Sequence, residues 1–447
     1  MFAALSIDER WHRAFEVYRR ALSSPFYSAK YEGSAAPHDE VSWRELPILS
    51  KQDLYDYAYP RSTAMLTQPL EGMIVSSTGG STGVARYTLL THQEWETFAG
   101  AQARAIQLLG VGPSDRVANL FIAGHLWPSF LGVHEAVKIM GAVHLPISAN
   151  IPPEEIVRLC QEFDPSVMLS LPTLFVFLAD IATRDNLAFP SLRLIGYAGE
   201  QMSEQAQQYV RSALKVDDIK ALAYSSADAG LMGYQCGHCG FATYHLPTDF
   251  QFIEILEPES RRPAAPGENG DLIVTNLARL SMPIIRYAIG DVGAFLPERC
   301  DCGDANPLFR LAGRAGDDFK LGGAYISMRV FDEALSAVGH AVSLNYAVEL
   351  EDIGNQMDVR LRVEAADPER ARELEGQLRA AVEQRVPEIG VGQQMQYIRQ
   401  FDIDFVALGT LPSSPITGKV QRLYDKRVVE ADAAAGSGAA SEASRGA

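Results

Sequence analysis

Residues 76–86 read Ser76-Ser77-Thr78-Gly79-Gly80-Ser81-Thr82-Gly83-Val84-Ala85-Arg86, directly after the apolar run Met73-Ile74-Val75. Five hydroxyl residues, three glycines and one arginine share these eleven positions. Glycine lets a backbone approach a ligand closely, and hydroxyls with free N–H groups bind phosphate oxygens, so the stretch makes a good phosphate cradle. It is not a Walker loop, because no Gly-Lys-Ser/Thr follows the glycines. The plain alternative is a flexible turn.

Outward from this loop, short apolar runs alternate with helical patterns. Strands are expected at 73–77, 116–123, 142–147, 166–171 and 192–199, with helices at 97–110, 129–140, 152–163, 173–182 and 203–214. Such alternation implies a parallel sheet covered by helices. Runs 251–256 and 271–276, joined by a Pro/Gly/Arg turn, indicate a more antiparallel section. The glycine-rich, charged stretch 313–323 marks a boundary, beyond which a smaller α+β unit is expected: a helix at 330–339, strands at 344–351 and 358–365, a helix at 368–386 and a last strand-like piece at 396–408. The fold class expected is thus α/β: a large N-terminal domain (1–312) with parallel and mixed sheets, a hinge (313–318), and a small mobile C-terminal domain (319–430). A tail (431–447) without large apolar residues is expected to be disordered.

Composition bounds the function. Against 39 Lys+Arg stand 56 Asp+Glu, a net charge of −17. That argues against nucleic acid or an anionic membrane as main partner, since both need a basic footprint. No apolar run approaches the ~18–20 residues of a membrane span, and charges from Asp8 onward interrupt the N-terminal apolar positions. A cytoplasmic protein is expected. Four of the five cysteines form two close pairs, Cys236/Cys239 and Cys300/Cys302. In a reducing compartment such pairs favour a metal over disulfides. Four thiolates suffice for one tetrahedral, structural Zn²⁺, with His238 or His245 as substitutes.

The loop also resembles the phosphate loop of the adenylate-forming acyl-ligases, [ST]-[ST]-G-[ST]-T-G-x-P-K, with Ala85 for Pro and Arg86 for Lys. Four more segments follow in that superfamily's order. Tyr224-Ser225-Ser226-Ala227-Asp228 resembles Y-G-x-[ST]-E, and Arg286-Tyr287-Ala288-Ile289-Gly290-Asp291 resembles R-Y-x-x-G-D. Gly313-Arg314-Ala315-Gly316-Asp317 resembles the G-R-x-D-D hinge. Pro412 to Arg422 resembles the closing P-x-T-x-x-G-K-x-x-R, with one extra residue before Gly418. The resemblance spans about residues 50–430 and is nearest to the phenylacetate–coenzyme A ligase branch, which makes an acyl-adenylate from a carboxylic acid and Mg-ATP and then a coenzyme A thioester.

The resemblance implies residue roles. Lys419, on a glycine-flexed loop, is the catalytic cation that bridges the substrate carboxylate and the α-phosphate. Ser77, Thr78, Gly79, Gly80, Ser81, Thr82, Gly83 and Arg86 hold phosphate. Tyr224, Gly199 and Glu200 frame the adenine, Ser225 and Ser226 accompany them, Asp291 takes the ribose hydroxyls, and Arg314 contacts ribose or phosphate. Asp228 takes the Mg²⁺ position, one methylene shorter than the family's Glu. Gly316 and Asp317 form the hinge; Phe121, His125 and Trp127 are acyl-pocket candidates, although aromatic residues here are more often core. The substrates implied are a small carboxylic acid, aryl or arylacetic, with ATP and coenzyme A. A carrier-protein thiol or an amine as acceptor, a homodimer, and a non-catalytic nucleotide-binding homologue are the alternatives left open.

Overall fold

The computed structural model describes residues 2–78, 85–314, 318–321, 324–339, 342–354, 356–411 and 420–427. The chain divides into two compact units. One comprises Met1–Pro172, Phe189–Met202 and Lys215–Ala315; the other comprises Thr173–Ala188, Ser203–Leu214 and Gly316–Ala447.

The first unit holds a five-stranded sheet in the order Val143–Leu145, Arg116–Asn119, Val167–Ser170, Leu194–Tyr197, Asp218–Ala221, with every neighbour parallel. Its strands are short and apolar because a parallel sheet is covered on both faces. Val117, Val167, Leu169 and Leu194 pack there with Ile106, Val133 and Val137 from helices His92–Gln107 and Pro128–Met140. Gly196 is required by space: a Cβ there would lie 2.4 Å from Leu222 Cδ2 and 2.7 Å from Leu169 Cδ2. The first helix starts at His92, earlier than its apolar pattern, because Thr91 and Glu94 form a reciprocal capping box. Ahead of it, strand Tyr87–Thr91 pairs antiparallel with Met73–Ser77 across the glycine–hydroxyl loop.

The antiparallel section is a second five-stranded sheet in the order Thr243–His245, Leu308–Arg314, Tyr287–Phe295, Gly270–Asn276, Gln251–Leu256. The expected pair of strands does meet, Leu256 opposite Asp271. One residue ties this sheet to the N-terminal segment. Arg286, in the left-handed region at φ 48°, donates from Nε and Nη2 to Glu254 at 3.0 and 3.1 Å and from Nη1 to the carbonyls of Arg44 and Leu46. Its backbone carbonyl accepts from Leu49 N–H, while Ala288 N–H donates to the Leu49 carbonyl, each at 2.9 Å. Glu254 also accepts from the Trp43 indole at 3.3 Å.

In the second unit, a hairpin of Asp318–Leu321 and Ala324–Ser327 precedes helix Arg329–Val338. A mixed four-stranded sheet follows, in the order Ile398–Ala407, Gln356–Ala365, Tyr346–Ile353, Leu423–Asp425. The single helix expected over 368–386 is broken by a 3₁₀ turn at Arg372–Leu374 into Pro368–Ala371 and Glu375–Arg385. Helices Pro172–Asp185 and Glu204–Leu214 alternate in sequence with strands of the parallel sheet, yet nearly all of both groups with this unit. Tyr209 donates to Asp180 at 2.5 Å, and Arg329 lies 3.9 Å from Glu204. Among the described residues no helix is long and apolar enough to cross a membrane.

Two outcomes are expected. Glu254→Ala leaves the Arg286 guanidinium buried without its counter-charge, and removal of one partner of such a pair costs about 3–5 kcal/mol. Chemical denaturation measures this, and a loss below about 1 kcal/mol would contradict the anchoring role. Burial pushes the Asp180 carboxyl up to about 6, with the Tyr209 and Ser343 hydroxyls pulling the other way and Glu364 adding to the rise. Because the folded pKa lies above the unfolded one, this group contributes stability that is full below about pH 4 and lost as pH rises through about 6. Asp180→Asn should flatten that part of the stability–pH curve, and an unchanged slope would contradict it.

Candidate active site

The neck of the glycine–hydroxyl loop is closed by two hydrogen bonds between Thr78 and Arg86. Thr78 N–H donates to the Arg86 carbonyl at 2.9 Å, and Arg86 N–H donates to Thr78 Oγ1 at 3.1 Å. Ser77 ends the preceding strand, and its N–H donates to the Leu126 carbonyl at 2.8 Å. Gly79, Gly80, Ser81, Thr82 and Gly83 lie outside the described residues.

Beside this neck, two segments with the same spacing exchange hydrogen bonds. Tyr224 and Asp228 stand four apart on the hairpin of strands Tyr224–Ser226 and Gly230–Gly233. Tyr287 and Asp291 stand four apart on one strand of the antiparallel sheet. Tyr224 OH donates to Asp291 Oδ2 at 2.5 Å, and Tyr287 OH donates to Asp228 Oδ2 at 2.7 Å. The exchange is reciprocal and fixes both carboxylates. Gly290 belongs to the same strand, where its pairing shifts register: it has φ 83°, and a Cβ there would lie 2.5 Å from Lys51 Nζ. Ser226 Oγ accepts from Ala229 N–H at 3.0 Å and shapes the hairpin.

Charge is concentrated on Asp228, which is 2% exposed. Arg86 donates to its Oδ2 from Nη2 at 2.9 Å and from Nε at 3.2 Å. Burial, with Asp228 beside it, pushes the Tyr287 hydroxyl well above the usual phenol range, so it stays a donor. A second arginine, the buried Arg279, donates to the backbone carbonyls of Asp228 at 2.7 Å and Ala227 at 3.4 Å. Asp228 Oδ1 is buried, with no hydrogen-bond partner among the described residues. The carboxylate that the resemblance assigns to magnesium therefore already holds a cation from the protein. Its Oδ2 is filled by Arg86 and Tyr287, while Oδ1 is left with open lone pairs.

Other expected residues are placed as follows. Gly199, at φ 84°, and Glu200 follow strand Leu194–Tyr197. Ser225 is central in the Tyr224 strand, and Asp291 pairs through its backbone with Arg314. Phe121 belongs to the hydrophobic core of the parallel sheet, whereas His125 is exposed and its ring lies 5.3 Å from the largely buried Trp127. Lys419, Gly316 and Asp317 lie outside the described residues. Sequence reasoning assigned no role to Tyr287, Arg279 or Glu254. Tyr287 carried a signal in its Tyr-x-x-x-Asp spacing, which duplicates that of Tyr224. Arg279 and Glu254 carried none.

The cysteine pairs do converge. Ligand atoms of Cys236, His245, Cys300 and Cys302 all lie within 4.8 Å of one another. Cys236 Sγ is 3.5 Å from Cys300 Sγ, and Cys302 Sγ is 3.5 Å from His245 Nε2. A tetrahedral zinc with bonds of about 2.0–2.3 Å would set its ligand atoms about 3.5–3.8 Å apart, the size of these two separations. The four drawn together exchange Cys239 for His245. Cys239 Sγ sits 3.6 Å from Cys236 Sγ and accepts from the Cys236 N–H, while His238 is exposed. His245 is held by stacking on Tyr234 and by Nδ1 at 3.4 Å from the Asn306 carbonyl, which turns Nε2 toward the thiols. Burial pushes the Cys236 thiol up to about 11 and the Cys302 thiol up to about 12, so thiolates here need a compensating cation.

No protein-family model matches the chain. Among curated proteins it is similar to the phenylacetate–coenzyme A ligase of Escherichia coli, 24% identical over 420 residues, and to that of Pseudomonas putida, 25% identical over 422 residues; each alignment covers 90% of both chains. Among solved structures it is similar to 2-hydroxyisobutyryl-CoA ligase in the postadenylation state in complex with 2-HIB-AMP, with a TM-score of 0.79 and 19% identity over 95% of this chain and 91% of that one. A benzoate CoA ligase from Burkholderia xenovorans aligns with a TM-score of 0.51 and 23% identity, over 76% of this chain and 66% of its own. Over nine-tenths of its length the chain is thus similar in sequence to phenylacetate–coenzyme A ligases, and in fold to 2-hydroxyisobutyryl-CoA ligase.

Proposed function

We propose that the chain is an AMP-forming acid–thiol ligase that takes an aryl or arylacetic acid, with Mg-ATP, to an acyl-adenylate and then to a coenzyme A thioester. The observation that carries this reading is the reciprocal Tyr224–Asp291 and Tyr287–Asp228 exchange at the neck of the glycine–hydroxyl loop. It brings an aromatic ring, a fixed carboxylate and an arginine to the base of a phosphate cradle. The relatives named above, two of them phenylacetate–coenzyme A ligases, support the choice of acid and acceptor.

In the first step a carboxylate oxygen attacks the α-phosphorus of ATP and pyrophosphate leaves. In the second, the thiol sulfur attacks the acyl carbon and AMP leaves. Two anions meet in the first step, so positive charge is needed most in its transition state. Lys419 is assigned this role, with Gly316 and Asp317 as the hinge that withdraws it for the second step. Asp291 receives the ribose hydroxyls, and the Tyr224 ring stacks on adenine between Gly199-Glu200 and the hairpin. Ser77 and Thr78 continue the phosphate loop, and Arg314 contacts ribose or phosphate. A zinc held by Cys236, His245, Cys300 and Cys302 would have all four positions filled, which makes it structural rather than catalytic.

Pyrophosphate exchange driven by aryl and arylacetic acids, followed by thioester formation with coenzyme A, tests the reading. Absence of exchange with every acid tried would defeat it. Lys419→Ala should lower exchange by about 10²–10³ or more while sparing thioester formation from preformed acyl-adenylate. Equal loss of both steps would make Lys419 structural. Elemental analysis of freshly purified protein should find one zinc per chain, reduced in His245→Ala, and that variant should unfold at lower denaturant without a selective loss of either half-reaction. A protein free of metal would remove the zinc assignment.

A further inference from the structure

Asp228 occupies the position that the resemblance gives to a magnesium ligand, but its surroundings describe a different task. Three donors converge on Oδ2: Arg86 Nη2 at 2.9 Å, Arg86 Nε at 3.2 Å and Tyr287 OH at 2.7 Å. One carboxylate oxygen has two lone pairs, so this atom is saturated. The other oxygen, Oδ1, is buried out of reach of solvent and has no hydrogen-bond partner among the described residues. The side chain is one methylene shorter than glutamate, which shortens its reach.

Arg86 is equally constrained at its other end. Its backbone closes the loop neck against Thr78, so the side chain springs from the base of the phosphate cradle. Its side chain is 15% exposed. A guanidinium carries five N–H donors in a rigid fork and cannot lose its charge at physiological pH. Two of those donors meet Asp228 and the Tyr287 hydroxyl is a further partner, which still leaves N–H donors of the fork for an anion.

We propose that Asp228 is a positioning residue for Arg86, and that this protein-borne cation, rather than a divalent ion on Asp228, faces the phosphates of the nucleotide. The two departures from the family pattern, Arg86 for Lys and Asp228 for Glu, then form one compensating pair. The inference rests on the ATP-dependent reading given above, and the Mg²⁺ carried by the substrate gains nothing from Asp228.

The test is calorimetric binding of α,β-methylene ATP to the full-length chain, once with Mg²⁺ and once in EDTA. Without its carboxylate anchor the guanidinium loses its fixed placement. Asp228→Asn should therefore weaken both forms by one common factor, about tenfold, the size of one lost charge-assisted hydrogen bond. The gain in affinity conferred by Mg²⁺ should stay within about twofold of wild type, a difference of about 0.4 kcal/mol. Asp228→Glu, which keeps the charge, should restore both forms to within about threefold. Tyr287→Phe, a milder change suited to the case in which Asp228→Asn fails to fold, should weaken both forms equally. Collapse of the Mg²⁺ gain in Asp228→Asn or Tyr287→Phe, with metal-free binding unchanged, would make Asp228 a metal ligand and overturn the proposal. No change in either form, or a loss that Asp228→Glu does not restore, would overturn it as well. If wild type fails to bind the nucleotide, the ATP-dependent reading falls too, so the two failures are distinguishable.

Discussion

The buried pair of Arg286 and Glu254 holds the architecture of the site. Both side chains are nearly excluded from solvent, and the guanidinium has a carboxylate on one side and two backbone carbonyls on the other. A buried charge is costly unless its hydrogen bonds are satisfied, so this arginine tolerates only the geometry in which all its partners are present. That geometry includes a left-handed backbone at Arg286 itself. The strand leaving it therefore starts with a set direction, and Tyr287 and Asp291 take their places from that start.

From this strand the order passes to the hairpin by the exchange of two phenol–carboxylate hydrogen bonds. Each tyrosine holds the other segment's aspartate, so neither carboxylate is set by its own turn alone. The arrangement separates the two acids chemically. Asp291 accepts from the Tyr224 phenol. Asp228 accepts from the Tyr287 phenol and from Arg86 as well, with Arg279 on its backbone carbonyl. The same residue type at the same spacing thus acquires two tasks through what lies next to it.

The cysteine and histidine cluster follows a similar logic at the edge of the antiparallel sheet. Cys236 precedes the edge strand Thr243–His245, His245 ends it, and Cys300 and Cys302 come from the turn before its neighbour Leu308–Arg314. Strand pairing brings together donors that are more than fifty residues apart in sequence. Among the described residues the thiols make hydrogen bonds with backbone N–H groups of Cys236 and Asp304, which orient the sulfurs.

Much of this was legible in the sequence alone. Alternating short apolar runs and amphipathic segments determined a parallel sheet with helices on it, because burial on both faces demands apolar strands and a crossover for each. The glycine–hydroxyl loop, the Tyr224 and Asp291 segments and the cysteine pairs were readable because each packs its chemistry into a few consecutive residues. The start of helix His92–Gln107 was missed because a capping box, not its apolar period, sets it. What only tertiary structure decided involves partners far apart in the chain. Glu254 and Arg286 are 32 residues apart, and Arg86 and Asp228 are 142 apart. The meeting of His245 with Cys236, Cys300 and Cys302 and the grouping of helices Pro172–Asp185 and Glu204–Leu214 with the second unit are of the same kind. No local propensity encodes such pairings: a buried ion pair or a ligand set is specified by complementary surfaces that exist only once the sheets have formed.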